Sequence, residues 1–92
     1  MSRLGWRYFG SRQVGEARQW AGAGGIAVHE NIWKSHGRRT CHLLAHDEPA
    51  LLGAARELGC ADQWIQRTRT LHFDLVEIYL ERGLARCGVT SR

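Results

Sequence analysis

Hydrophobic and polar positions alternate or cluster along this chain in a pattern that predicts three short strands and two or three helices. A short apolar run at 26–28, an alternating segment at 40–45 and the segment 84–89 predict the strands. Apolar residues at helical spacing predict helices within 48–58 and 75–82, and residues 61–66 predict a turn or a short helix. The predicted fold class is α/β (α+β): a small three-stranded sheet with two or three helices packed on it.

Capping signals define the ends of the two longer predicted helices. Asp47 is a favoured N-cap residue, and Gly59 supplies a stop. Asp74 and Glu77 have the spacing of a capping box at the start of the last helix, which Gly83 would end. These signals assign both aspartates a structural role as helix caps.

A glycine-rich segment at 22–25 divides the chain into two parts. Residues 1–24 are predicted to form a basic, aromatic N-terminal arm with a short helix at 11–21, and residues 25–92 a single small α/β domain. The arm carries four arginines against one glutamate, a difference of 4 − 1 = +3. Arginines beside Trp6, Tyr8 and Phe9 would suit nucleic-acid binding. Because the rest of the chain has no matching basic excess, a hydrophobic segment packed on the domain is favoured.

Composition restricts the class of protein without selecting a function. The chain has 92 residues, of which 43% are hydrophobic and 24% charged, values typical of one globular domain with a thin core. A homodimer would add buried area to such a core. The sequence has no apolar run of membrane-spanning length and no signal peptide, and its three widely spaced cysteines suit reduced thiols. These features predict a cytoplasmic protein that does not bind membranes.

All five histidines lie between positions 29 and 72, and most have an acidic or cysteine neighbour. Imidazole and carboxylate groups at strand ends are typical of divalent-metal sites and of acid–base catalysis. The residues that we assign to such chemistry fall into two sets. The catalytic set is His42, His72 and Asp74, and the metal-binding set is His29, Glu30 and Asp47.

A structural explanation competes with this assignment. Helix capping alone accounts for Asp47 and Asp74, at about 1 kcal/mol for each cap. A buried His42 would be satisfied by a backbone carbonyl. No compact metal motif such as HExxH is present. From the residues alone, both explanations stay open.

Residues 26–89 also resemble a known family in several short segments that occur in order. These segments are Ile26-Ala27-Val28-His29-Glu30, Cys41-His42-Leu43-Leu44-Ala45-His46-Asp47, the helix 51–59, His72-Phe73-Asp74-Leu75 and Gly83-Leu84-Ala85. The family is the bacterial and phage domain of unknown function 4031. The chain departs from it where His29-Glu30 replaces a pair of aspartates, and residues 1–24 have no counterpart. The resemblance implies a phage or bacterial origin and the same domain boundaries, and it implies no activity.

Two hypotheses on function follow from these residues. The first is a metal-assisted or histidine-dependent hydrolase acting on a phosphate-bearing substrate, a nucleotide or nucleic acid. A divalent metal would be its cofactor, and four loop arginines would bind the phosphate: Arg38, Arg39, Arg67 and Arg69. The second is a non-catalytic module of phage or prophage type that binds a host protein complex as an inhibitor or adaptor, with the aromatic arm in the contact.

Overall fold

The computed structural model describes residues 4–34 and 36–89. In chain order the elements are β1 (Trp6–Phe9), α1 (Val14–Gly22), β2 (Ile26–Glu30), β3 (Cys41–Leu44), α2 (Glu48–Glu57), a short 3₁₀ helix (Asp62–Trp64), β4 (Gln66–Arg67), β5 (Leu71–Leu75) and α3 (Glu77–Arg86). The predicted mixture of helices and strands is confirmed. No helix in these two ranges is long and apolar enough to cross a membrane.

The sheet contains five strands in the order β1-β2-β3-β5-β4. Strand β1 runs parallel to β2, and the other neighbours are antiparallel. The prediction of three strands was wrong because it missed β1, β4 and β5 and placed a strand at 84–89. Strand β4 has only two residues, too few to produce a hydrophobic pattern.

The N-terminal segment belongs to the sheet and is not an arm beside it. Trp6 pairs with Ile26, and the register continues to Phe9 opposite His29. Helix α1 connects these two parallel strands, so residues 6–30 form a β-α-β unit. The division predicted between residues 24 and 25 is therefore a turn inside this unit. Residues 1–3 of the predicted arm lie outside the described residues.

The two faces of the sheet are covered by different helices. Alternation along β2 sends Val28 to one face and Ala27 to the other. The larger core cluster joins the first face to α2 and α3, and the smaller cluster joins the second face to α1. Because α1 packs mainly against β1 and β2, the second face carries less cover over β3 and β5. The candidate site lies there.

Helix α3 departs most from the prediction. It runs through Gly83, which was expected to end it, so the predicted strand at 84–89 is wrong. Gly83 is buried, and an added Cβ there would lie 2.9 Å from Leu75 Cδ1. The glycine therefore allows close packing of the helix on β5 and does not act as a stop.

The two aspartates predicted as helix caps have different outcomes. Asp47 is the N-cap of α2, and its carboxylate accepts a 2.9 Å hydrogen bond from the backbone N–H of Ala50. Asp74 instead lies within β5, and α3 begins after Val76 with no side-chain cap. Capping therefore explains Asp47 but leaves Asp74 available for another role.

Candidate metal centre

The register of three antiparallel strands brings three of the predicted residues into one row. His29 on β2 lies opposite His42 on β3, and His42 lies opposite Asp74 on β5. Directly opposed residues point to the same face of a sheet, and so does His72, two positions before Asp74. This face also carries Ala27 of the smaller cluster, so the row lies on the α1 side of the sheet.

One carboxylate oxygen of Asp74 approaches a nitrogen of each of two imidazole rings, whose centres are 4.6 Å apart. Asp74 Oδ1 is 3.4 Å from His42 Nε2 and 3.3 Å from His72 Nε2. One ligand atom from each of the three side chains lies within 4.8 Å of the other two. Both N···O distances are long for a charge-assisted hydrogen bond. They match the separation of about 3.3–3.4 Å between neighbouring ligands of a tetrahedral Zn²⁺ whose bonds are about 2.0–2.1 Å long.

A backbone carbonyl fixes the orientation of the His72 ring. His72 Nδ1 lies 2.8 Å from the carbonyl oxygen of Thr70. Because a carbonyl oxygen only accepts, Nδ1 carries the proton, and Nε2 of the neutral ring has a lone pair directed toward Asp74. Metal-binding histidines commonly have their second ring nitrogen held by a carbonyl or carboxylate in this way. The neutral form of His72 thus has the tautomer that a ligand requires.

The electrostatics of the cluster keep His42 neutral and Asp74 ionised near neutral pH. Burial lowers the pKa of His42, His72 lowers it further, and Asp74 acts in the opposite direction. The adjacent Asp74 carboxylate raises the pKa of His72 despite partial burial. The His72 ring in turn lowers the pKa of the Asp74 carboxyl. A raised pKa means that His72 Nε2 holds a proton more readily, and a metal ion binding to this nitrogen would compete with that proton.

A small pocket opens beside the two histidine rings. It has a volume of about 190 Å³, large enough for a metal ion together with water or one phosphate group. Its lining combines the histidine rings with residues of α1 and of the β4–β5 loop: Val14, Arg18, His29, His42, Leu44, Thr68, Arg69, Thr70 and His72. Both arginines of the lining are exposed, and no ion pair involves either of them within residues 4–34 and 36–89.

The three residues predicted as the metal-binding set do not converge. His29 is buried and adjoins the cluster, with its ring centre 6.1 Å from that of His42, but its Nε2 donates to the carbonyl oxygen of Ser11 at 3.2 Å. Glu30 points to the opposite face, where Arg39 binds both of its oxygens. Asp47 caps α2. The side chains close enough to hold one metal ion are instead the three residues that were predicted as the catalytic set.

Glu30 is occupied by a polar network away from the pocket. Arg39 donates to it at 2.6 and 2.9 Å, and the Tyr8 hydroxyl donates at 2.7 Å. Burial would raise the pKa of Glu30, but these hydrogen bonds outweigh burial and lower it. Such a carboxylate stabilises the end of β2 and has little capacity left for a cation.

The four arginines predicted to bind phosphate do not share one site. Three of them pair with carboxylates: Arg38 with Glu77, Arg39 with Glu30, and Arg67 with Glu48. Arg69 alone among the four lines the pocket beside the histidines. Arg18 of α1 also lines it and was missed, because no sequence pattern relates a residue of this helix to a loop fifty positions later.

Comparisons with known proteins do not assign this chain to a family. No family model matches the chain, and neither a curated protein nor a solved structure shows significant similarity to it. The resemblance to the domain of unknown function 4031 therefore stays a prediction.

Proposed function

We propose that His42, His72 and Asp74 bind a divalent transition metal such as Zn²⁺, and that the protein uses it to hydrolyse a phosphate ester. The observation that carries this proposal is the pair of Asp74 Oδ1 contacts, at 3.4 and 3.3 Å from the two imidazole nitrogens. Two nitrogens and one oxygen suit a transition metal better than Mg²⁺, which prefers oxygen ligands. Three protein ligands leave a coordination position open for water.

The three ligands and the two arginines of the pocket have distinct roles in this proposal. The three ligands hold the ion, which would lower the pKa of a bound water to about 7. Arg69 and Arg18 bind the phosphate oxygens, since neither has a carboxylate partner in the described residues. The water oxygen forms a bond to phosphorus, the bond from phosphorus to the ester oxygen breaks, and a proton from the water goes to the departing oxygen.

A metal-free version of the same reaction uses His42 as a general base. Its lowered pKa keeps the ring neutral and able to take a proton from water at neutral pH. Asp74 would then stabilise the protonated ring. The two versions differ in one simple observation, because a chelator abolishes activity only in the metal-assisted version.

The test is phosphate release from a panel of phosphate monoesters and diesters, with added Zn²⁺ or Mn²⁺ and with a chelator. We expect metal-dependent hydrolysis that Arg69→Ala weakens mainly through KM, because the arginine binds the phosphate in ground and transition states alike. Arg38→Ala is the matched control, since Arg38 is exposed, pairs with Glu77 and lies outside this pocket. Absence of hydrolysis throughout the panel contradicts the proposed activity.

A second candidate function is the phage-type module that binds a host protein complex. The observation in its favour is the loop after β2, where Ile32 is 70% and Trp33 is 77% exposed. Exposed tryptophans are frequent anchors of protein interfaces. If Trp33→Ala abolishes the effect of the protein on a bacterial host while His42→Ala and His72→Ala preserve it, this candidate replaces the hydrolase.

A further inference from the structure

A second pocket adjoins the candidate metal centre on the other side of Asp74. It has a volume of about 420 Å³, more than twice that of the pocket beside the histidines. Its lining comes from the 3₁₀ helix, β4, β5 and the start of α3: Gln63, Trp64, Gln66, Asp74, Val76 and Tyr79. We refer to it as the aromatic pocket. Its size lies within the range of small-molecule sites.

Two residues connect the aromatic pocket to the centre. Asp74 lines this pocket, and its Oδ1 is the atom that approaches both imidazoles. Gln66 lies directly opposite His72 in the β4–β5 pairing, so its side chain points to the same face of the sheet. A ligand in the aromatic pocket therefore lies beside the proposed metal ligands, and the arginine-lined pocket lies beyond them.

The aromatic pocket offers ring surface together with amide groups. Trp64 and Tyr79 meet edge-on, with ring centres 5.3 Å apart and planes at 74°. The guanidinium of Arg82 lies over the Tyr79 ring, 5.7 Å from its centre, but Trp64 is 45% exposed and offers uncovered ring surface. Gln63 and Gln66 each add an amide that both donates and accepts hydrogen bonds. Stacking surface with adaptable amides is how proteins recognise a nucleobase.

We propose that the aromatic pocket binds the heterocyclic base of a nucleotide whose phosphate lies at the His42–His72–Asp74 centre. This inference rests on the proposed function and specifies its substrate class. The base stacks on Trp64, the glutamine amides contact the edge of the base, and the phosphate extends past Asp74 toward Arg69. A free nucleotide and the end of a nucleic-acid strand share this chemistry.

The test compares AMP with ligands that lack either its base or its phosphate, by isothermal titration calorimetry with Zn²⁺ and again with a chelator. AMP carries base and phosphate, adenosine lacks the phosphate, and ribose 5-phosphate lacks the base. We expect AMP to bind about tenfold or more tightly than ribose 5-phosphate, in keeping with the contribution of one base–aromatic stack. A 5′-phosphorylated single-stranded tetranucleotide is a further ligand. Tighter binding of AMP identifies a free nucleotide as the ligand, and tighter binding of the tetranucleotide identifies the end of a nucleic-acid strand.

Variants assign the preference to one tryptophan. Trp64→Ala is expected to reduce the AMP preference to about threefold or less, and Trp64→Phe to retain most of it because a ring remains. Trp33→Ala is the matched control, since Trp33 is exposed and does not line the aromatic pocket. Equal affinity for AMP and ribose 5-phosphate, or no saturable AMP binding, overturns the inference, and so does loss of the preference in Trp33→Ala alone.

The two proposals fail in distinguishable ways. Hydrolysis of ribose 5-phosphate and AMP at equal rates, with equal affinities, keeps the metal-assisted hydrolase and overturns the base-binding pocket. Binding of AMP and adenosine that depends on Trp64 and persists in chelator, without metal binding or hydrolysis, keeps the pocket and overturns the hydrolase.

Discussion

Replacing Phe9 with alanine tests whether the N-terminal segment is an integral strand. Phe9 is only 2% exposed and lies in the smaller core cluster with Ala17, Ala21 and Trp20, its ring centre 6.5 Å from that of Trp20. Truncating a phenylalanine at such a position costs about 3–5 kcal/mol. A domain of 92 residues has roughly 5–14 kcal/mol of stability in total, so the loss is a large fraction of it.

Urea unfolding followed by circular dichroism measures this loss. At an m-value of about 1–3 kcal/mol per molar urea, the midpoint falls by about 1 M or more. Phe9→Leu keeps an apolar side chain, and its smaller loss gives a reading if the alanine variant does not fold. Trp33→Ala removes an aromatic ring that is 77% exposed, and we expect a change within about 0.5 kcal/mol. A similarly small change for Phe9→Ala would refute the placement of β1 in the sheet.

Three further predictions concern the packing of α3, the N-cap of α2 and the contact between His72 and Asp74. Gly83→Ala places a Cβ against Leu75 in a closely packed contact and should destabilise the fold by about 1–3 kcal/mol in the same urea assay. Asp47→Ala removes the hydrogen bond to the Ala50 N–H and should lower the unfolding free energy by about 1 kcal/mol, whereas Asp47→Asn should retain most of it. The pKa of His72 is raised above its ordinary value of 6.5, so around this pH the folded state binds more protons than the unfolded state. The free energy of unfolding of the metal-free protein should therefore fall as the pH rises from about 6.5 through the folded-state pKa. Thermal unfolding across this pH range should lose that decline in His72→Gln, and an unchanged profile would contradict the pairing of His72 with Asp74.

The fold was predictable where a local pattern determines the element. Asp47 before a helical apolar stripe predicted the start of α2, because the cap is made within four residues. The errors arose where tertiary contacts decide. Gly83 resembles a helix stop, yet its lack of a side chain serves the packing of α3 on Leu75. Strand β1 is stabilised by its pairing with β2, a partner some twenty residues away that no local pattern reveals.

The sequence predicted the residue types of the candidate site, but it predicted only in part which residues lie together. His42, His72 and Asp74 were assigned together, and the strand register brings them within reach of one ion. Glu30 could not be separated from the metal-binding set by sequence, because its partner Arg39 is brought to it by the β2–β3 pairing. Residues that share a site from different elements can be recognised only once the register is known.

The central claim is that His42, His72 and Asp74 together bind one metal ion, and titration of metal-free protein with Zn²⁺ tests it most directly. Calorimetry should give one equivalent, and Co²⁺ in its place should give the visible absorption of a tetrahedral site. Removing a residue that only hydrogen-bonds to a metal ligand weakens metal binding by about 10–100-fold. His72→Ala removes a ligand itself and should therefore weaken Zn²⁺ binding by more than about 100-fold. The exposed His46, which is outside the cluster, provides the matched control His46→Ala with unchanged affinity. Absence of saturable binding, or equal affinity in His72→Ala and His46→Ala, would contradict the claim.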